Sequence, residues 1–154
     1  MGLAGFLRKV FARAPKAPPR VADPRLAADP WLGELFAHLS DRYRLGEDGA
    51  QILRRTGRAR FNKMPVWVNA AERSVAGDYE VRGDVARGRA LLDERVGPRL
   101  AALGLSKGIE SVEDWAGDVL TRRYQGRCEA APGAAAAVKF FCEESELQIN
   151  TAAE

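Results

Sequence analysis

The sequence predicts a mainly α-helical domain, of class α+β, with a minor two-stranded β element. Two observations lead to this fold class. Apolar residues recur at helical spacing along most of the chain, whereas β-branched residues favour strands in one stretch, FNKMPVWVNAAERSVAGDYEVRGD. A length of 154 residues, of which 46% are hydrophobic and 29% charged, fits a single small globular domain with a real core.

The chain divides into three parts in this prediction. Residues 1–14 form a docking segment, residues 15–30 form a proline-rich spacer, and residues 31–154 form the mainly helical globular domain. Five prolines within residues 15–30 oppose a continuous helix and favour an extended, semi-rigid chain.

The docking segment is predicted to be an amphipathic helix. At about 100° per residue its large apolar side chains fall on one stripe, which consists of Leu3, Phe6, Leu7, Val10 and Phe11. An isolated helix of about a dozen residues is marginal in water, so this stripe needs a surface to cover it. The surface could be the chain's own domain, a partner protein or a membrane.

The globular domain opens on a clearly marked helix. Asp29 can cap this helix, Pro30 suits its first turn, and apolar spacing extends over residues 31–44. A short second helix is predicted over residues 48–56. Two strands then follow, at residues 66–68 and 79–82.

Three helices are predicted in the second half of the domain. A helix over residues 84–105 contains Pro98, which must kink or divide it. A helix over residues 112–124 turns Trp115 toward the core. The last segment, residues 134–149, is ambiguous between helix and strand, and its alanines favour a helix.

Charge is distributed unevenly, although the formal net charge is only +3. Residues 1–22 contain five basic residues and no acid, and the tail after Lys139 contains four glutamates and no base. No run approaches the ~20 apolar residues of a membrane-spanning helix, and the N-terminal order of apolar and charged residues differs from that of a secretory signal. We therefore expect a cytoplasmic protein, with peripheral contact at the inner membrane face as an alternative.

No residue pattern predicts a catalytic centre, a metal site or a cofactor site. His38 is the only histidine, and Cys128 and Cys142 belong to no CxxC pair, so we expect two reduced thiols and no tetrahedral zinc site. The glycines form neither a GxGxxG nor a GxxxxGKS loop for phosphate binding. A small enzyme with an unrecognised site near His38 is one alternative.

A basic cluster in the middle of the chain suggests another alternative, nucleic-acid binding. Five cations with no acid between them lie close to Phe61 in the sequence, and a nucleobase could stack on the Phe61 ring. These cations are Arg54, Arg55, Arg58, Arg60 and Lys63. The predicted helix over residues 48–56 that leads into this cluster is short, and Gln51 is its only residue of the Asn, Gln and Ser types that usually accompany base readout.

The chain is therefore predicted to be a non-enzymatic interaction module, or a small accessory subunit of a larger assembly. The absent catalytic pattern, the docking segment and the opposite charges of the two ends support this hypothesis. The expected partner is another protein bound through the docking segment, ahead of a membrane surface or a nucleic acid.

Overall fold

The structure is a computed structural model that describes residues 22–54 and 65–144. Five short helices and six strands succeed one another within these residues. The strands are β1 (Tyr43–Leu45), β2 (Gln51–Arg54), β3 (Val66–Asn69), β4 (Ser74–Arg82), β5 (Ser106–Glu113) and β6 (Val119–Arg127). The helices are α1 (Pro24–Ala28), α2 (Pro30–Ala37), α3 (Val85–Leu91), α4 (Gly97–Ala102) and α5 (Ala131–Lys139), and π-helical stretches follow α3 (Leu92–Val96) and α5 (Phe140–Glu144).

The strands form one antiparallel sheet in the order β1-β2-β3-β4-β6-β5. Its centre is the long pair of β4 and β6, which runs in register from Ser74 opposite Arg127 to Arg82 opposite Val119. Strand β5 pairs with β6 through a bulge between Lys107 and Glu110. Strands β1 and β5 are therefore the two edges of the sheet as formed by residues 22–54 and 65–144.

The helices cover one face of this sheet. Gly77 of β4 lies so close to the Phe141 ring that an added Cβ would be 2.6 Å from it, and Gly88 of α3 lies directly against Val81 of β4. Residues 77 and 81 point to the same face because side chains alternate along a strand. The core between the layers contains Leu35 and Phe36 of α2, Ile52, Val75, Tyr79, Leu92, Leu100, Leu120, Tyr124 and Val138.

In the part of the chain that the structure describes, the second face of the sheet carries polar and aromatic side chains and no helix packs on it. The Arg123 guanidinium lies 4.4 Å from the centre of the Trp67 ring, and its Nε donates to Asp78 Oδ1 over 2.8 Å. One packed face and one polar face are typical of an antiparallel sheet in a two-layer α+β fold.

The predicted fold class, mainly α with a minor two-stranded β element, is wrong. The sheet has six strands and is a main layer of the fold. Within the predicted helix over residues 48–56, residues 51–54 form strand β2 instead, and the predicted helix over residues 112–124 falls in the hairpin of β5 and β6. The helix predicted over residues 31–44 ends at Ala37, and its last residues enter strand β1.

Other local predictions are confirmed. Asp29 caps α2 by accepting a hydrogen bond from the Leu32 N–H over 3.1 Å, and Pro30 occupies the first turn. A π-helical stretch just before Pro98 divides the long helix. This division agrees with the prediction, because proline has no N–H to donate to the regular helical hydrogen-bond pattern. Residues 131–139 are helical. Residues 24–28, which the sequence placed in the spacer, form α1.

In the described part of the chain, no helix combines the length and the apolar character needed to cross a membrane.

Candidate functional site

Exposed apolar side chains are concentrated at one edge of the sheet. Ile109 and Val112 on β5 are 72% and 45% exposed, and Trp115 in the following loop is 95% exposed. The only other large apolar side chain of comparable exposure within the described residues is Leu53, at 39%. Val112 is opposite the buried Leu120 and so lies on the side of β5 that faces the helical layer, whereas Ile109 lies in the bulge between Lys107 and Glu110. We call these three exposed residues of β5 and its loop, Ile109, Val112 and Trp115, the apolar edge.

The loop that carries Trp115 has a defined conformation. Asp114 adopts φ 74° and accepts a hydrogen bond from the Trp115 N–H at its Oδ1, over 2.8 Å. The Gly117 N–H donates to the Asp114 carbonyl over 3.0 Å, and the Gly83 N–H donates to the Asp118 carbonyl over 2.9 Å. The exposed indole is therefore displayed by a folded turn that is attached to the body of the protein.

The backbone of the apolar edge is poorly suited to adding another strand. Within residues 22–54 and 65–144, no strand pairs with the outer side of β5. The bulge between Lys107 and Glu110 interrupts the regular ladder there, and bulges are one of the devices that protect sheet edges from pairing. A partner at this edge therefore binds chiefly through side chains.

Behind the apolar edge lies a cluster of charged residues centred on Arg122. The Arg122 side chain is fully buried, and its Nε and Nη1 donate to Glu110 Oε2 and Asp93 Oδ1, each over 2.6 Å. Glu110 also accepts a hydrogen bond from Arg89 Nε over 2.9 Å and lies 3.4 Å from Lys107 Nζ. We call these five residues the ion cluster.

The ion cluster fixes β5 against the helical layer. Glu110 belongs to β5, Arg122 belongs to β6, and Asp93 lies on the π-helical stretch after α3. The three elements are thus connected through one buried guanidinium. Because breaking a buried pair leaves an uncompensated charge, the cluster holds the apolar edge in place.

No protein family, curated protein or solved structure matches this chain. Function must therefore follow from the chemistry of the chain's own surface.

A cavity of about 340 Å³ opens beside the ion cluster, between α4 and β5. Its charged lining side chains, Asp93, Lys107 and Arg122, are each bound to another member of the cluster. Pro98 and Ala101 of α4 supply part of the remaining wall. The charges of these three side chains are therefore already compensated within the ion cluster.

Two predicted groups of site residues lie largely outside the described residues. The apolar stripe of Leu3, Phe6, Leu7, Val10 and Phe11 lies in residues 1–21. Arg55, Arg58, Arg60 and Lys63 of the basic cluster lie in residues 55–64. The remaining member, Arg54, ends β2, where its Nη1 donates to the Cys142 carbonyl over 2.5 Å. The structure therefore assigns Arg54 a contact within the protein.

The residues considered for catalysis occupy different structural positions. His38 is the exposed C-terminal cap of α2, whereas the side chains of Cys128 and Cys142 are buried. Burial raises the pKa of the Cys128 thiol, which opposes formation of a thiolate nucleophile. Among the described residues, no group of three His, Cys, Asp or Glu side chains is arranged to hold a metal ion.

Sequence reasoning missed the apolar edge because it placed Trp115 inside a helix. The letters AGD, at residues 116–118, are a turn pattern that could have divided this helix into two strands. With that division, Trp115 falls in a hairpin loop, where a large aromatic side chain is unusual and indicates a contact surface.

Glu110 has a strongly perturbed pKa. Burial alone would raise the pKa of its carboxyl, but hydrogen bonds from Arg122 and Arg89 outweigh burial and hold the pKa at about 2, compared with the ordinary 4.5. The side chain is only 18% exposed, so solvent screens these interactions weakly.

Acid is expected to remove the stabilisation that Glu110 provides. Its folded-state pKa lies below the unfolded value, so the contribution is complete above about pH 4.5 and is lost as the pH falls toward about 2. The full loss corresponds to about 3 kcal/mol of unfolding free energy. Urea unfolding at pH 7, 4.5 and 3 should show a steeper acid loss for the wild type than for Glu110→Gln. Equal losses in the two proteins would contradict this assignment.

Proposed function

We propose that the protein is a non-enzymatic interaction module that binds another protein through the apolar edge. The observation that supports this function is the exposure of Ile109, Val112 and Trp115 on one strand and its adjoining loop. Scattered single apolar residues need no explanation, but a group at an unpaired sheet edge is typical of an interaction site.

The energetic argument centres on Trp115. Burying a large apolar side chain that was fully exposed contributes about 1.5–3 kcal/mol, so Trp115, at 95% exposure, could supply a contribution of this size. Ile109 and Val112, at 72% and 45% exposure, would supply correspondingly less. Tryptophan is also enriched among the residues that dominate protein interfaces. Its folded turn reduces the conformational entropy that binding would otherwise cost.

The charged surroundings of the apolar edge favour specificity. Residues 110–118 contain four acids and no base. Of these, Glu113 and Asp114 are exposed beside Trp115, whereas Glu110 is compensated within the ion cluster. An apolar centre flanked by acids suits a partner with an apolar surface flanked by bases.

Replacing the apolar edge should abolish partner binding without unfolding the protein. We expect Ile109→Ser/Trp115→Ser to reduce recovery of the partner at least about tenfold, because hot-spot truncation costs 2 kcal/mol or more. Its unfolding free energy should change by less than about 0.5 kcal/mol per site, because both side chains are exposed. The measurement is quantitative co-purification of the tagged full chain from cells that produce it.

The matched control for this experiment is Leu53→Ser. Leu53 is an exposed apolar residue on β2, well removed from β5 in the strand order. The same chemical change at this position should leave the partner's recovery unchanged. Equal recovery with the edge variant and the wild type would overturn the proposed function.

A further inference from the structure

We propose that the chain's own N-terminal segment, residues 3–14, covers the apolar edge until a partner protein displaces it. This inference rests on the proposed function, because it takes the apolar edge to be a docking surface. It connects two features that are each incomplete alone: an apolar stripe that needs a surface, and an exposed apolar edge that needs a cover.

Charge complementarity favours this occupant. Residues 1–21 contain five bases and no acid, whereas residues 110–118 contain four acids and no base. Arg8 and Arg13 flank the apolar stripe on the helical wheel, and the exposed Glu113 and Asp114 flank Trp115. Bases beside one apolar surface therefore meet acids beside the other.

The shape of the edge favours a helical stripe over an added strand. The bulge between Lys107 and Glu110 disrupts the outer hydrogen-bonding ladder of β5, so backbone pairing is unfavourable there. A helix carries its hydrogen bonds internally and contacts its partner through side chains alone. The predicted stripe of residues 3–14 meets this requirement.

The length of the spacer fits the distance it must cross. The described chain starts near the β1 edge, where Arg25 Nη2 donates to the Leu45 carbonyl over 3.2 Å. The strand registers place Leu45 level with Lys107, two residues before Ile109 on β5, and the five strand spacings between them amount to about 24 Å. The spacer therefore has to reach the near end of β5, and the docking segment itself would extend from there along the apolar edge. Residues 15–22 span about 25 Å in the extended conformation that proline favours. A linker matched to its span gives the highest effective concentration of the tethered segment.

The test compares Phe6→Glu with Ala12→Glu in the full chain. Both substitutions add one negative charge to the segment, but Phe6 lies on the apolar stripe and Ala12 lies on the far side of the wheel. The readout is acrylamide quenching of tryptophan fluorescence, and Trp115→Phe identifies the contribution of Trp115. Trp31 is buried and Trp67 is packed beneath Arg123, so Trp115 dominates the quenchable signal.

We expect Phe6→Glu to raise the quenching constant of Trp115 by about twofold or more. The tethered segment has a millimolar effective concentration at the apolar edge, and a weak contact is only partly formed at that concentration. Ala12→Glu should behave as the wild type. About 1 M salt should raise quenching in the wild type as well, because the screening length then falls to about 3 Å. Sedimentation should give a monomer mass for the wild type.

Several outcomes would overturn the inference. Equal quenching in the wild type, Phe6→Glu and Ala12→Glu would show that residues 3–14 do not cover the apolar edge. A concentration-dependent dimer that Phe6→Glu dissociates would instead place the segment on a second copy of the chain. Lower partner recovery with Phe6→Glu would assign the segment to the partner contact. In each case the Ile109→Ser/Trp115→Ser experiment still decides whether the apolar edge binds a partner.

Discussion

Replacing Arg122 with methionine is expected to lower the free energy of unfolding by about 3 kcal/mol. Breaking a buried ion pair by removing one partner costs about 3–5 kcal/mol, because the other charge is left uncompensated. The lower end applies here because Arg89 and Lys107 still contact Glu110 after the substitution. Methionine retains much of the apolar volume of the arginine stem, so the loss reports mainly on the charge.

Urea unfolding at neutral pH measures this effect, with Arg82→Met as the matched control. Arg82 lies on the surface and pairs with Glu80 over 2.8 Å, so its replacement should cost less than about 1 kcal/mol. Adding Glu110→Gln to Arg122→Met should recover part of the loss, because the uncompensated carboxylate is then removed. A loss for Arg122→Met no greater than that for Arg82→Met would contradict the structural role of the ion cluster.

The ion cluster also explains why the sheet was hidden in the sequence. In β6, the inward positions are Leu120, Arg122 and Tyr124, and a buried arginine in the middle breaks the alternation of apolar and polar residues. Pattern reasoning treats such an arginine as exposed, because lone charged residues are almost never fully buried. Its burial is made favourable by the carboxylates of Glu110 and Asp93 and by the Tyr124 hydroxyl, which accepts a hydrogen bond from Arg122 Nη1 over 3.1 Å.

The bulge in β5 also obscures the strand periodicity of residues 106–113. Lys107 and Glu110 are directly bound to each other at a spacing of three residues, which is a helical spacing. One extra residue in the strand produces the same spacing on one face of a sheet. Strands β1 and β2 contain three and four residues, which is too short for any periodicity to be recognised.

Local backbone chemistry was more predictive than periodicity. The start of α2 at Asp29 and Pro30, and the break before Pro98, depend on groups within one turn of the chain. The position of Trp115, in contrast, depends on whether residues 112–124 are one helix or two strands. The apolar edge could therefore be predicted only if the turn pattern AGD at residues 116–118 was first read as dividing this segment into two strands.

Gly126→Ala is expected to destabilise the protein by about 3 kcal/mol, at the upper end of the range for overpacking. An added Cβ would overlap the Gly104 carbonyl oxygen and would lie 2.9 Å from the Leu105 Cα. Both obstacles are backbone atoms, so no side-chain rotation can relieve them. The turn itself is constrained, because Gly104 has φ +90° and its N–H donates to the Ala101 carbonyl over 3.0 Å.

The substitution should also loosen the apolar edge, because the turn at Gly104 leads directly into β5. Faster amide hydrogen exchange in residues 106–113 should therefore accompany the loss of stability, and urea unfolding with exchange mass spectrometry would measure both. Gly133→Ala is the matched control: no atom lies within 4 Å of its added Cβ, so the change in α5 should stabilise by about 0.5–1 kcal/mol. If Gly126→Ala and Gly133→Ala have the same free energy of unfolding, the turn at Gly104 does not require a glycine at position 126. The ion cluster alone would then hold the start of β5.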